Sequence, residues 1–238
     1  MIAGVLQSRL DHVAVAVHDV DRALAYWGDT VGGGLVTHET NASFHSAQVR
    51  YDGGGKLEVL AAPPDADGDS FVTRFLERFG AVIHHVTVKV PDLGAALDTV
   101  RAGGYDVVDV QTTAPHWREG FLRPSQVGGL LVQVAWTPDD DDAWARRHGV
   151  DPQLPAPSAP RLLGPALTHP DLATARALWS LLGAAVDDAD DRLVCRWPDS
   201  PLNVTVERGD PPGPVALRFD GVVPPPPAAI DTPVVLTG

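Results

Sequence analysis

Cysteine and long hydrophobic runs are what this sequence most clearly lacks. Cys195 is the only cysteine, so an intrachain disulfide is excluded and nothing requires an oxidising compartment. No run of about 18 apolar residues occurs, which argues against a membrane-spanning helix. The stretch from Met1 to Leu10 lacks the basic start and apolar core of a signal peptide, so we expect a cytoplasmic protein.

Positive charge is also scarce. Lys56 and Lys89 are the only lysines, and the formal net charge is −13 at pH 7. An acidic chain repels phosphate backbones, and no stripe of Lys and Arg offsets that repulsion, so the composition argues against nucleic-acid binding. A hydrophobic fraction of 44% in 238 residues is enough for a buried core, in one large domain or two small ones.

An internal repeat is the main positive feature of the sequence. One short alternating apolar segment contains His12, and a second one contains His85. Asp19 and Asp92 each stand seven residues after these histidines, and a helical pattern follows each aspartate. An aspartate there can accept hydrogen bonds from the free amide groups of a first helical turn. The repeat therefore predicts a strand followed by a capped helix, twice.

Each copy continues with strand-like segments that end after a glycine turn. Lys56 to Ala61 follow three glycines in the first copy, and Leu130 to Trp136 follow two glycines in the second. The pattern predicts two βαβββ modules, and a similar opening after Arg161 predicts a partial third. The predicted order is a first module (1–65), a connecting helix (66–81), a second module (82–138), an acidic and proline-rich linker (139–160), a third degenerate βαβββ-like module (161–222) and a proline-rich tail (223–238).

The histidines of the two first strands are predicted to face away from the helices. Side chains on a strand alternate between two faces, so His12 shares its face with Ala14, and His85 shares its face with Thr87. A sheet buried on both faces would carry large apolar residues at such positions. The small and polar neighbours therefore indicate an open cavity on this side.

The last strands of the two modules carry a second matched pair. Glu58 and Gln133 occupy equivalent places in the two copies. A glutamate between Leu57 and Val59 is costly to bury unless something pairs with it. A metal ion would satisfy this carboxylate.

Four segments taken together resemble a known family. They are LDHVAVAV from Leu10, KLEVL from Lys56, HHVTV from His84 and GGLLVQV from Gly128. The combination is similar to the vicinal oxygen chelate superfamily, which includes glyoxalase I, methylmalonyl-CoA epimerases, extradiol dioxygenases and bleomycin-resistance proteins. The resemblance covers Val5 to Trp136, and the local likeness is strongest to the epimerases and glyoxalase-like proteins.

This resemblance implies an α+β fold in which paired βαβββ modules form an open, U-shaped sheet around one metal ion. The ligands implied by position are His12, Glu58, His85 and Gln133. By the same matching His84 is not a ligand, because it takes the place of Asp11. Mixed nitrogen and oxygen ligands suit several divalent ions, so Zn, Ni, Co, Mn, Fe and Mg all remain open.

The resemblance defines the reaction less narrowly than it defines the fold. Members of the family usually carry a carboxylate at the position of Gln133, and the epimerases carry a second one near the position of Gln48. This sequence has amides at both positions, and an amide cannot accept a proton from a carbon acid. Two imidazoles, one carboxylate and one amide leave a divalent ion with a net charge of about +1, which favours an anionic, bidentate oxygen ligand. The resemblance implies a lyase, isomerase or dioxygenase with Glu58 as a catalytic group. The alternative is a bleomycin-resistance-like protein that binds a small molecule without catalysis.

Several polar residues are candidates for contact with a small-molecule substrate. They are Gln48, Lys89, His116, Arg118 and Arg123. The two arginines would grip an acid or a phosphate at the mouth of the cavity. A surface loop anchored by its tryptophan is an equally good interpretation of the segment from His116 to Gly120.

Two polar segments are interpreted mainly as solvated loops. His38, Glu39 and His45 lie in the first module at the place that matches the second module's candidate loop, and could supply a base. Exposure to solvent is the simpler interpretation. The acidic run from Asp139 to Asp142 is likewise predicted to be a solvated loop and not a metal-binding tract.

The third module is predicted to bind no metal. Gly164 and Asn203 stand where the first module has its histidine and glutamate, and neither is a useful ligand there. Cys195, between Val194 and Arg196, is interpreted as a small buried hydrophobe. Because half a cavity needs a partner to close it, we expect this module to form an interface, which makes a homodimer plausible.

Overall fold

The computed structural model describes residues 4–65, 70–228 and 230–238, and its strands form two β-sheets. In chain order the strands are β1 (Arg9–Ala16), β2 (Gly34–Thr40), β3 (His45–Arg50), β4 (Lys56–Ala61), β5 (Ile83–Lys89), β6 (Val107–Gln111), β7 (Arg118–Leu122), β8 (Leu131–Trp136), β9 (Arg161–His169), β10 (Ala185–Ala189), β11 (Arg192–Arg196), β12 (Asn203–Arg208), β13 (Gly213–Asp220) and β14 (Val235–Thr237). The α-helices are α1 (Val20–Leu24), α2 (Phe71–Phe79), α3 (Leu93–Ala102), α4 (Asp141–Arg147) and α5 (Leu172–Leu181). No helix in these described ranges is long and apolar enough to cross a membrane.

The eight-stranded sheet contains the two predicted modules. Its strand order is β2-β3-β4-β1-β5-β8-β7-β6, so the first strands of the two modules are neighbours at the centre. In the second module β5 pairs with β8 in parallel, whereas β8, β7 and β6 pair in antiparallel fashion. The prediction of an α+β fold with repeated βαβββ modules is confirmed.

A second sheet, of six strands, holds a third copy of the same order of elements. Its strand order is β10-β11-β12-β9-β13-β14, and β12 pairs in parallel with β9. The third module thus has the βαβββ-like order of elements that the opening after Arg161 predicted. The predicted proline-rich tail contributes β14, which pairs in parallel with β13.

An aspartate caps the helix that follows each module's first strand. The side chains of Asp19, Asp92 and Asp171 accept hydrogen bonds from first-turn backbone N–H groups at 3.0, 3.1 and 2.9 Å. Such a bond satisfies one of the donors that a helix start leaves open. The first helix differs from the prediction beyond its cap, because α1 passes into a π-helical turn at Ala25–Thr30. That wider turn contains the fully buried side chain of Trp27.

The acidic run at the start of the predicted linker forms the beginning of a helix and not the solvated loop that the sequence predicted. Asp140 caps α4 by accepting a hydrogen bond from a first-turn N–H at 2.7 Å. Asp141 and Asp142 follow in the first turn, where the helix dipole favours negative charge. Asp141 also lies 2.6 Å from Nζ of Lys56. The aspartates therefore have defined structural partners.

The chain divides into two compact units, each assembled from three stretches. The first unit contains Met1–His12, His85–Pro138 and Gly164–Val215, and the second contains Val13–His84, Asp139–Leu163 and Ala216–Gly238. In the first unit, the third module contacts the N-terminal stretch: Trp197 Nε1 donates hydrogen bonds to Ser8 Oγ and Leu182 O, both at 3.1 Å. The ring of Trp197 packs edge-to-face on Trp179, with centroids 6.1 Å apart.

One buried hydrophobic cluster of the second unit forms around α2. Val72 and Leu76 of this helix pack in one buried cluster with Ala16 and Leu60. The predicted connecting helix is thus present as α2, while positions 66–69 of that prediction lie outside the described residues.

The only cysteine gives a direct test of burial in the third module. Cys195 lies on β11 with no exposed surface, and burial raises the pKa of its thiol to about 12. Because the thiolate is the reactive form, we expect native protein to resist alkylation by iodoacetamide at neutral pH. Mass spectrometry should find one alkylated cysteine only after denaturation in guanidinium. Alkylation of the native chain as fast as free cysteine would contradict this placement.

Candidate metal centre

Three of the four predicted metal ligands lie together. His12, Glu58 and His85 each offer one ligand atom, and these atoms all lie within 4.8 Å of one another. The three residues are buried, with 2, 8 and 6% of their surface exposed. The two imidazole rings meet edge-on, with centroids 5.7 Å apart. Two imidazoles and a carboxylate form a donor set that divalent ions accept.

The sheet brings these residues to one place. Glu58 lies on β4, His12 on β1 and His85 on β5, and these three strands are consecutive in the sheet. The matched positions in the two repeats are therefore neighbours in space, although 46 residues separate Glu58 from His12 in the chain.

The ring of His12 is fixed from both sides. Its Nδ1 donates a hydrogen bond to Oδ2 of Asp11 at 2.8 Å, and its Nε2 is hydrogen-bonded to Oγ1 of Thr87 at 2.9 Å. Asp11 is buried and also lies 3.1 Å from Nζ of Lys89 and 3.2 Å from Arg9. A carboxylate on the remote nitrogen is the usual means by which proteins orient a metal-ligating histidine.

Gln133, the fourth predicted ligand, joins this network through the hydroxyl group of Thr87. Its Oε1 accepts a hydrogen bond from Thr87 Oγ1 at 2.5 Å, and its Nε2 donates to Oε2 of Glu119 at 2.6 Å. The same oxygen of Glu119 accepts a bond from Trp117 Nε1 at 2.6 Å. The acceptor Glu119 thus turns the amide nitrogen of Gln133 towards itself and the carbonyl oxygen towards Thr87.

Glu119 is the residue of this network that the sequence analysis missed. It lies on β7, where Phe121 stands directly opposite Gln133 on β8. Alternation places Glu119 on the same face as Phe121, and Arg118 on the other face with Gly120. A strand pattern at this place would have put Glu119 on the same face of the sheet as Gln133. The segment around Glu119 was instead interpreted as a loop.

Two of the predicted substrate-binding residues lie close to the ligand group. Gln48 on β3 stands directly opposite Glu58 on β4, so the two side chains share a face of the sheet. Lys89 is 3.1 Å from Asp11, and its ammonium lies 5.5 Å from the centre of the Trp117 ring. Lys89 therefore helps to hold the carboxylate that orients His12.

The other predicted substrate-binding residues have different surroundings. The guanidinium of Arg118 lies over the ring of Trp136 at 4.5 Å, on the face opposite to Glu119. Arg123 is exposed, with its Nε 3.9 Å from Asp106. His116 is half-buried and precedes β7. Their contact with a substrate stays a prediction.

His84, the neighbour of the predicted ligand His85, packs against aromatic side chains. Its ring lies 4.6 Å from Phe75 and 5.8 Å from Phe71, between centroids. Burial lowers the pKa of His84 to about 4, against the opposing effect of the Glu58 carboxylate. The ring is therefore neutral near pH 7 and packs as an aromatic side chain.

The histidines assigned to a loop of the first module lie on strands instead. His38 is on β2 and His45 on β3, and their Nε2 atoms are 2.9 Å apart. Burial, and then the neighbouring His38, lowers the pKa of His45. Glu39 lies on the other face of β2, with its carboxylate 3.5 Å from His148. The three residues therefore do not form one group.

The third module offers no comparable group in the described residues. Gly164 occupies the position of a ligand but has φ 116°, and a Cβ there would lie 2.2 Å from the backbone oxygen of Asn203. Both groups of His, Asp and Glu that could hold an ion within the described ranges fall outside 161–222.

Comparison with known proteins agrees with this architecture. The family model of the glyoxalase/bleomycin resistance protein/dioxygenase superfamily matches residues 11–121. Mitochondrial methylmalonyl-CoA epimerase of Mus musculus is 30% identical over 129 residues, which cover 53% of this chain and 71% of the mouse protein. An ethylmalonyl-CoA/methylmalonyl-CoA epimerase of Cereibacter sphaeroides is 29% identical over 130 residues, or 53% of this chain and 96% of that protein.

Solved structures extend the likeness. Methylmalonyl-CoA epimerase from Mycobacterium tuberculosis superposes with a TM-score of 0.51 at 28% identity, over 58% of this chain and 94% of that one. A hypothetical protein from Staphylococcus aureus shares the fold alone, with a TM-score of 0.62 at 10% identity over 90% of this chain and 91% of that one. The repeated modules, the family match and the epimerase relatives lead to one conclusion: the chain belongs to the glyoxalase/bleomycin resistance protein/dioxygenase superfamily, also known as the vicinal oxygen chelate superfamily.

Proposed function

We propose that this protein is a divalent-metal-dependent isomerase that moves a proton on a carbon next to a carbonyl group. The observation that carries the proposal is the carboxylate of Glu119, hydrogen-bonded to Gln133 at 2.6 Å. A proton acceptor of this kind is what the two amides, Gln48 and Gln133, cannot supply. The epimerase relatives support this reaction class over a lyase or a dioxygenase.

The residues present fit a divalent ion. His12, Glu58 and His85 would hold it, with Oε1 of Gln133 as a fourth ligand. Burial of the Glu58 carboxylate between Leu57 and Val59 carries a desolvation cost that a cation reduces. When bound, the ion would supply Lewis-acid polarisation of a substrate oxygen.

The network around His12 would keep the site in one arrangement. Asp11 holds Nδ1 of His12 and therefore directs Nε2 towards Thr87 and the other ligands. Lys89 balances the charge of Asp11, which reduces the cost of burying that carboxylate. These are positioning residues, since they act on a ligand and not on the substrate.

Glu119 is the proposed base. Trp117 and Gln133 both donate to its Oε2, so the carboxylate is held in a fixed orientation and cannot rotate away from the network. Inversion at a carbon needs a second group that gives a proton to the opposite face, and Glu58, protonated at the start of the turnover, is assigned that role. In one turnover Glu119 would gain the proton removed from the carbon and Glu58 would lose the proton that it delivers, and exchange with solvent would then restore both groups.

The proposed substrate class is a small acyl thioester. This choice follows the named substrates of the epimerase relatives, and methylmalonyl-CoA is the first compound to test. The half-buried amide of Gln48 lies opposite Glu58 in the strand register, and we assign it a hydrogen bond to a substrate oxygen.

Metal affinity should depend on the two central histidines. We expect His12→Ala or His85→Ala to weaken binding of Zn²⁺ at one site by roughly tenfold or more, because a direct ligand is lost. Calorimetric titration of the full chain would measure this, with the exposed His18→Ala as a matched control. Equal affinity in the wild type and both variants would rule out the assignment of ligands.

Loss of the proposed base should separate catalysis from metal binding. We expect Glu119→Gln to slow exchange of the C2 proton of methylmalonyl-CoA with deuterated water by about 10²–10⁴-fold, the usual contribution of a general base. Metal affinity should stay within about threefold, because the ligands are unchanged and glutamine can still accept a bond from Gln133. Mass spectrometry of the thioester follows the exchange.

The surface variant Glu77→Gln serves as the control for this experiment, since Glu77 is exposed on α2. Exchange at the wild-type rate in Glu119→Gln would disprove its role as base. If the wild type catalyses no exchange in thioesters or 2-oxo acids but binds them without metal, the protein is a binder in the manner of bleomycin-resistance proteins. Consumption of a catechol without proton exchange would instead indicate a dioxygenase.

A further inference from the structure

A second group of possible ligands lies in the second unit, on elements other than those of the metal centre. Asp21 of α1, His38 of β2 and His45 of β3 each offer one ligand atom, and these atoms all lie within 4.8 Å of one another. We name this group the hairpin site. Its side chains are partly exposed, with 37% of His38 and 76% of Asp21 open to solvent.

The two histidines share one face of the β2–β3 hairpin. Thr40 stands opposite His45 in the antiparallel register, and His38 stands opposite Ala47. The histidines are therefore diagonal neighbours, close enough for long side chains to meet. Their rings stack with centroids 5.1 Å apart at an angle of 23°.

The turn of the hairpin fixes this arrangement. The backbone N–H of Asn41 donates to Phe44 O at 3.0 Å, and Oδ1 of Asn41 accepts bonds from the N–H groups of Ser43 and Phe44 at 2.8 and 3.0 Å. A side chain that closes its own turn sets the strand register. The spacing of His38 and His45 therefore does not depend on a bound ligand.

The nitrogen atoms themselves point to a shared ligand. Nε2 of His38 is hydrogen-bonded to Nε2 of His45 at 2.9 Å and lies 3.6 Å from Oδ1 of Asp21. Two ligands at bond lengths of about 2.0–2.1 Å on one tetrahedral zinc ion stand roughly 3.3 Å apart, so a shift of a few tenths of an ångström would replace this hydrogen bond by one ion between the rings. Two imidazoles with one carboxylate match the preferences of borderline transition metals, not those of Ca²⁺ or Mg²⁺.

We propose that Asp21, His38 and His45 form a second divalent-metal site, selective for ions such as Zn²⁺, Ni²⁺ or Cu²⁺. Three protein ligands leave further coordination positions to water, because the site is open to solvent. The ion would tie α1 to the β2–β3 hairpin. The site shares no residue with the proposed metal centre, and the two assignments stand or fall separately.

Calorimetry of the full chain with Zn²⁺ tests the proposal. We expect His38→Gln and His45→Gln each to weaken one binding event by about tenfold or more, and Asp21→Asn to weaken the same event. His18→Gln is the matched control, because His18 is exposed, its Nε2 lies 3.9 Å from Asp231, and it belongs to neither proposed ligand group. It should bind Zn²⁺ as the wild type does. Wild-type binding in both histidine variants would overturn the proposal.

A second measurement on the wild type does not depend on how the variants fold. Histidine-selective ¹⁵N NMR reports the nitrogen that binds a metal, since coordination shifts its resonance. Saturating Zn²⁺ should move the Nε2 signals of both His38 and His45, with Nδ1 signals little changed. Nε2 signals of this pair that stay in place at saturation would also overturn the proposal.

Discussion

Burial of charge is the constraint on which this site depends. Asp11 and Glu58 lie on central strands with only 6 and 8% of their surface exposed. A carboxylate in such a place needs a partner, since an isolated buried charge carries a large desolvation cost. Lys89 and His12 provide that partner for Asp11. A cation at the proposed centre would further lower the cost of burying the Glu58 carboxylate, so one principle bears on both the positioning network and the ligand set.

The sequence allowed the repeated part of the fold to be predicted, because its signals are local. Strand alternation and a cap seven residues after each histidine can be read within one short segment, as Asp19 and Asp92 illustrate. Glu119 was missed for the opposite reason: its significance comes from Gln133, on a neighbouring strand. Only the register between β7 and β8 shows that the two side chains share a face.

Two further differences have the same physical origin. The aspartates before α4 were interpreted by composition as a solvated run, yet Asp140 caps a helix, and the neighbouring Asp141 meets Lys56 from a distant strand. The strand β14 exists because β13 offers it an edge for pairing, and no sequence window near residue 235 carries that information. Non-local pairing is what sequence patterns describe least well.

Gly164 has a consequence for how the third module can change over time. Its backbone lies in a region that disfavours side chains, and a Cβ at this position would collide with the backbone of Asn203. A substitution to histidine would therefore demand that two strands move apart before any ligand atom could be presented. No single substitution at this position therefore gives the module a metal ligand without a rearrangement of its backbone. Backbone geometry at this one position therefore limits which substitutions the module tolerates, whatever its function.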